Sequence, residues 1–367
     1  MRQPVSFRAL ALLATGISLA GCSASSHGSP LPGTANSAAQ ARAAKTGAFR
    51  PVVNQRGVPF VGRPDVFAAL EASAPAGVRT AASEVAAVAS GKKSAAWKTS
   101  VFVSDFGANN SSGAVYQFAP SKAGKILGTI NDVVNPQGLD MDAKGDLWVA
   151  STGSYSINEY APGTYKASTV LNDTGWFPVS VAVCPNGTVY ALNSYDVSFG
   201  PGEIAIYAAG STTSSSTVPD ANVYVPYFGA CDQNNVFWYD YADFNFDFNV
   251  ASYNGSTVTE YGSLGIGFPG GIRIGNNGTT LGIDDQYAGV DLFTESNPSA
   301  GPYLTLPVAN DPVSFSFNKT QANVWVADYG STDVLEFVLK TGKQTVAEGA
   351  KTLKVPTDAL DYPLGNT

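Results

Sequence analysis

Pro136-Gln-Gly-Leu-Asp-Met-Asp-Ala-Lys-Gly-Asp-Leu-Trp-Val-Ala-Ser151, carried on to Asn158-Glu-Tyr160, decides how this chain folds. It reads as strand, tight turn, strand, polar loop, strand, with Lys144-Gly145 supplying the turn that a hairpin needs. The chain repeats this phrase. Its copies open at Pro136, Pro178, Val225, Pro269, Pro312 and Pro356, which lie 42 to 47 residues apart. A period of that size with short strands inside it predicts propeller blades.

The copies agree in detail. The second strand recurs as Leu147-Trp-Val-Ala-Ser151, Val189-Tyr-Ala-Leu-Asn193, Val236-Phe-Trp-Tyr-Asp240, Leu281-Gly-Ile-Asp-Asp285 and Val324-Trp-Val-Ala-Asp328. The third recurs around an aromatic, as in Asn158-Glu-Tyr160, Ala205-Ile-Tyr207 and Leu335-Glu-Phe337. The two ends of the array complement each other. Val101-Phe-Val-Ser-Asp105 matches a second strand with no first strand before it. Pro356-Thr-Asp-Ala-Leu-Asp-Tyr362 matches a first strand with no second strand after it. Pairing them closes the ring and hides two open edges. The expected fold is an all-β, six-bladed β-propeller over 100–367, closed by its C-terminal strand.

What precedes the array is of another kind. Arg2 and Arg8 stand before an apolar run from Ala9 to Leu19, and the run ends in Leu19-Ala-Gly-Cys22. This is the layout of a signal peptide over 1–21, too short to span a membrane. Its ending resembles the lipobox of bacterial lipoproteins, which implies that Cys22 is lipidated and becomes the first mature residue. That resemblance implies a bacterial cell-envelope protein, held to the bilayer by an acyl anchor on an extracytoplasmic side, at the outer membrane or facing the periplasm. Residues 22–99 then form a tether and linker. Their first part is Ser, Ala, Gly, Pro and Thr with almost nothing to bury. Short helix starts follow at Pro64 and Ala81, separated by Pro75 and Gly77.

The chain has 367 residues, a formal charge of −8, 14% charged and 11% aromatic residues. An acidic chain of this kind argues against nucleic acid as a partner. The composition of 38 Gly and 22 Pro suits many short strands joined by turns. The run Pro136–Ala150, with Val324-Trp-Val-Ala-Asp-Tyr-Gly330, resembles NHL-repeat and gluconolactonase-like six-bladed propellers. The resemblance lies in the repeat and identifies no activity.

Candidate chemistry is sparse. The single histidine, His27, lies in the tether, so Ser-His-Asp and Cys-His nucleophile arrangements are excluded from the propeller. The second strands end in Asp105, Ser151, Asn193, Asp240, Asp285 and Asp328, which repeat geometry brings toward one mouth of the channel. The carboxylates of Asp105, Asp240, Asp285 and Asp328 are a candidate set of oxygen ligands for Ca²⁺. Gluconolactonase-like propellers hold a divalent metal near this mouth. Equally, Asp, Asn and Ser at strand ends cap nearby backbone amides. Aromatics follow the ring at Phe106 and Tyr329, and Tyr241 with Asp243 is expected to be exposed beside it. Cys184 and Cys231 end the first strands of neighbouring blades, where either a disulfide or two buried thiols fits. Two functions follow as expectations: a tethered propeller that binds a protein, peptide or glycan, or a metal-dependent lactonase-like hydrolase.

Overall fold

A computed structural model of the protein describes residues 97–106, 113–119, 125–275, 278–307, 312–318, 322–328, 333–340, 345–347, 352–354 and 363–366. The signal peptide, Cys22, the tether, the helix starts at Pro64 and Ala81, Tyr329 and the segment 356–362 lie outside them.

Six antiparallel sheets stand in a ring. Blade one holds β1 (Val101–Asp105), β2 (Ala114–Phe118) and β3 (Ile126–Ile130). Blade two holds β4 (Pro136–Met141), β5 (Leu147–Ser151), β6 (Ser156–Tyr160) and β7 (Thr169–Asn172). Blade three holds β8 (Trp176–Val183), β9 (Val189–Asp196), β10 (Pro201–Tyr207) and β11 (Ser216–Thr217). Blade four holds β12 (Val225–Cys231), β13 (Phe237–Ala242), β14 (Phe248–Tyr253) and β15 (Val258–Gly262). Blade five holds β16 (Pro269–Gly275), β17 (Thr280–Asp285), β18 (Gly289–Thr294) and β19 (Leu304–Pro307). Blade six holds β20 (Pro312–Phe317), β21 (Asn323–Asp328), β22 (Asp333–Lys340), β23 (Thr345–Ala347) and β24 (Thr352–Lys354). The last strand, β25 (Pro363–Asn366), returns to blade one and pairs with β1.

Closure is therefore as expected, but by a different segment. Pro363 stands opposite Asp105, just as Pro136 stands opposite Ser151. The proline that opens the closing strand is Pro363, seven residues beyond the Pro356 that the repeat spacing selects. Each opening proline sits at the first residues of an innermost strand, where its missing N–H costs no ladder bond. A β-bulge follows it in blades two to six.

Turn chemistry places the hairpins. Gly145, Gly187, Asn235 and Gly278 take φ of 89°, 85°, 64° and 85° between first and second strands. Near the axis the innermost strands approach too closely for side chains. A Cβ on Gly138 would lie 2.7 Å from Ser180 Cα in the next blade. Because strands alternate in direction, the loops joining second to third strands and the linkers between blades share one end, the loop face. The first-to-second hairpins occupy the other.

The core lies between blades. Trp148 and Ala150 of blade two pack on Val181, Val183, Ala191 and Tyr207 of blade three, and Trp238 of blade four packs on Ile272, Leu281 and Ile283 of blade five. Trp97, just ahead of β1, is fully buried against Phe102 and donates its indole N–H to Gly145 O at 3.0 Å. Cys184 and Cys231 are bonded, with Cα atoms 5.0 Å apart, which joins the innermost strands of blades three and four.

Candidate functional site

Five of the six strand-end residues occupy one structural position. Asp105, Ser151, Asn193, Asp285 and Asp328 each face the opening proline of their own blade: Pro363, Pro136, Pro178, Pro269 and Pro312. In blade four that place belongs to Tyr241, opposite Pro226. Asp240 is one residue early, and a slip of one residue turns a strand side chain to the opposite face of its sheet. The opener of blade four is thus Pro226, where the repeat spacing selected Val225.

Nor do these residues form an open acidic mouth. Asp105, Ser151, Asn193, Asp240 and Asp328 are at most 1% exposed and Asp285 is 5% exposed. Asp285 and Ser151 hold the backbone of the incoming linker. Asp285 accepts the N–H groups of Gly267, Phe268 and Tyr287 at 3.0, 3.2 and 3.0 Å, tying the incoming linker to its blade. Ser151 Oγ accepts Val134 N–H at 2.9 Å in the same manner. Among the described residues, the acidic trio within chelating distance is Asp142, Asp146 and Glu159, at the hairpin end of blade two. Asp105, Asp240, Asp285 and Asp328 are not gathered, because each sits within its own blade and Asp240 is turned to the opposite face of its sheet.

Asp240 shares its position with Asp284, the neighbour of Asp285 in the strand end of blade five. Asp240 Oδ1 accepts Phe228 N–H at 2.8 Å, whereas neither carboxyl oxygen of Asp284 has a hydrogen-bond partner. Asp284 lies against Gly270, where a Cβ would come within 2.8 Å of its Cγ. Burial pushes both carboxyls well above the usual carboxylate range, and for Asp284 the charges of Asp285, Asp240 and Asp328 add to this. Burial thus favours the neutral form of both.

The channel is crossed at a deeper level. Arg273 of β16 donates from Nη2 to Leu139 O of β4 at 2.7 Å, joining blades two and five, which stand opposite in a ring of six. Burial lowers the Arg273 pKa, and Asp140 opposes that shift. A guanidinium held this way bars the axis.

The loop face carries the aromatic residues. Tyr155, Phe199 and Phe246 lie in the second-to-third-strand loops of blades two, three and four, at φ of 54°, 61° and 62°. Such residues in the left-handed region cost about 1–2 kcal/mol each. Their rings join those of the linkers: Tyr155 to Phe177 at 5.2 Å, Phe177 to Phe199 at 5.8 Å, Tyr224 to Phe246 at 5.2 Å. Phe268 and Tyr287 extend the series to blade five at 5.7 Å. Tyr155, Phe199, Tyr224 and Tyr287 are partly exposed, and Phe244 stands 56% exposed beside Tyr224. Two expected rim residues differ. Phe106 is 6% and Tyr241 2% exposed, the latter with its hydroxyl bonded to Glu260 at 2.7 Å. Asp243 is half-buried and caps its own loop, accepting N–H groups from Asn245 and Asp247.

A tyrosine–aspartate latch repeats in blades two, three and four. Tyr160, Tyr207 and Tyr239 donate their hydroxyls to Asp132, Asp173 and Asp220 at 2.8, 3.0 and 2.7 Å. Each of these aspartates lies in the linker that enters the tyrosine's blade, so each pair latches neighbouring blades. The signal was present, as an Asp four to six residues before the openers Pro136, Pro178 and Pro226.

No protein-family model and no curated protein matches this sequence. Among solved structures, it is similar to a chain of the crystal structure of a nidogen/laminin complex, with a TM-score of 0.58 and 13% identity. The match covers 73% of this chain and 97% of that one. At such identity the likeness speaks for the propeller fold alone.

Proposed function

We propose that this chain is an exported, lipid-anchored binding propeller that presents its loop face, over blades two to five, to a protein, peptide or glycan. The observation that carries the reading is the strained aromatic series Tyr155, Phe199 and Phe246. Left-handed backbone at bulky residues persists where surrounding structure enforces it, and such residues gather at ligand clamps. Partly exposed rings beside the acceptors Asp196, Asp243 and Asn245 suit sugar rings or peptide side chains.

Other features agree. Val197 and Phe244, two of the five large apolar side chains left exposed among the described residues, belong to these loops. The Cys184–Cys231 bond fits an oxidising compartment. The lipobox-like Leu19-Ala-Gly-Cys22 and the tether behind it fit a propeller carried clear of a membrane surface. The similar chain comes from a protein–protein complex.

Protein, peptide and glycan arrays probed with the wild-type chain and with Phe199→Ser/Phe244→Ser test the reading. Hits should weaken at least tenfold in the variant and stay unchanged in Tyr303→Ser, which is exposed in blade five next to β19. Hits indifferent to the loop substitutions would sink the assignment of the face.

A further inference from the structure

Blades two and three fill the same position of the repeat in opposite ways. In blade two, the cross-strand pair Ser151 and Ser156 is completed by Ser154. Ser154 Oγ meets Ser151 Oγ at 2.6 Å and Ser156 Oγ at 2.9 Å. Ser156 then donates to Asn158 Oδ1 at 3.0 Å, and Asn158 leads on to the Tyr160–Asp132 latch. Every member of that chain has a partner.

In blade three the equivalent cross-strand pair is Asn193 and Glu203, and Ala205 stands where blade two has Asn158. The latch is kept, with Tyr207 donating to Asp173 Oδ1 at 3.0 Å, but the chain that would reach it is gone. Asn193 is fully buried, and neither its Oδ1 nor its Nδ2 has a hydrogen-bond partner. Asp173 is 5% exposed, and its Oδ2 is likewise unpartnered. These groups share one face: Asn193 stands directly opposite Glu203, and Glu203, Ala205 and Tyr207 alternate along β10 to the same side, where Tyr207 holds Asp173. Glu203 is half-buried and opens the site toward solvent. The flanking Ala191, Ala205 and Tyr207 pack against Trp148, Ile157 and Leu171, which fixes this face toward blade two.

Two carboxylates and an unpartnered amide in one interface are costly to bury as they stand. They are also the oxygen donors a hard cation takes. We propose that Asp173, Asn193 and Glu203 form a binding site for a divalent cation of the Ca²⁺ type in the interface between blades two and three. The donors are Asp173 Oδ2, Asn193 Oδ1 and the Glu203 carboxylate. The site takes Asn193 from the strand-end ring but uses none of Asp105, Asp240, Asp285 and Asp328, and it is separate from the Asp142, Asp146 and Glu159 trio at the hairpin end. It also bears on the loop face, since Asp173 N–H donates to Tyr155 O at 2.9 Å. An ion here stiffens the loop of the first strained aromatic.

The test is calorimetric titration of the full mature chain, stripped with EDTA, with CaCl₂. One saturable event is expected, with a Kd at or below about 1 mM as in extracellular Ca²⁺ modules. Glu203→Gln should weaken it at least tenfold, while Asp146→Asn in the exposed trio leaves it unchanged. No saturable binding up to 10 times that concentration overturns the proposal, and so does a Glu203→Gln chain that titrates as wild type. Should Glu203→Gln not fold, Tb³⁺ soaked into wild-type crystals decides. An anomalous peak beside Asp173 supports the site. A peak beside Asp142 alone, or none, overturns it. Either result leaves the partner-binding face to its own arrays, so the two readings fail separately.

Discussion

Removing the Cys184–Cys231 bond should cost the propeller about 4 kcal/mol. The cysteines are 47 residues apart, and their Cα atoms lie 5.0 Å apart at the ends of two neighbouring innermost strands. Closing a loop of that length removes roughly 14 cal/mol/K from the unfolded chain, which is about 4 kcal/mol at 25 °C. The perturbation to use is Cys184→Ala/Cys231→Ala, because Cys184 is buried among Tyr190, Leu192 and Phe237 and a serine would add an unbonded hydroxyl. Equilibrium urea unfolding of the oxidised wild type and the double variant gives the difference directly. At roughly 2 °C per kcal/mol for a domain of this size, the melting temperature should also fall by about 8 °C. A loss below about 1 kcal/mol at unchanged m would refute the reasoning, since the bond would then not be restricting the unfolded chain.

Gly138→Ala should destabilise by about 1–3 kcal/mol in urea unfolding, because its Cβ meets the backbone of Ser180 and not a movable side-chain tip. In EDTA-containing buffer, stability should fall as pH rises from about 4.5 to 7 and beyond. Burial and Asp173 raise Glu203 from 4.5 to about 7, and burial raises Asp240 and Asp284. A carboxyl raised on folding contributes below its unfolded pKa, and the contribution is lost as pH climbs through the folded value. For half-exposed Glu203 this amounts to about 1 kcal/mol once solvent screening is allowed for. Asp284→Asn should flatten that dependence, with little loss at pH 5 and a higher melting temperature than wild type at pH 8.

The architecture was legible because blades repeat, and repetition survives poor local signals. Strand, turn and period agreed at Pro136–Tyr160, and two incomplete ends announced a closed ring. What failed was register. A spacing of 44 residues made Pro356 the closing opener, yet the strand that pairs with Asp105 begins at Pro363. In blade four the run Val236-Phe-Trp-Tyr-Asp-Tyr241 offers no mark of which residue faces Pro226, and the repeat alignment selects Asp240 where the structure has Tyr241. One residue of slip changes the face, so Asp285 caps linker amides on one side of its sheet while Asp240 and Asp284 are buried on the other. The left-handed aromatics were hidden for another reason: nothing in the residue type of Tyr155, Phe199 or Phe246 foretells a positive φ. Glu203 and Asp173 come to one face through Asn193 and Tyr207, a placement that the period alone does not give.

If the loop face over blades two to five is where a partner binds, a crosslinker placed there should capture it. Site-specific photo-crosslinking in the native host measures this most directly. A photoreactive phenylalanine replaces Phe244 in one chain and Leu127, exposed on β3 of blade one, in another. A discrete covalent adduct is expected from position 244 and none from position 127. Adducts equal at both positions, or found at 127 alone, would contradict it.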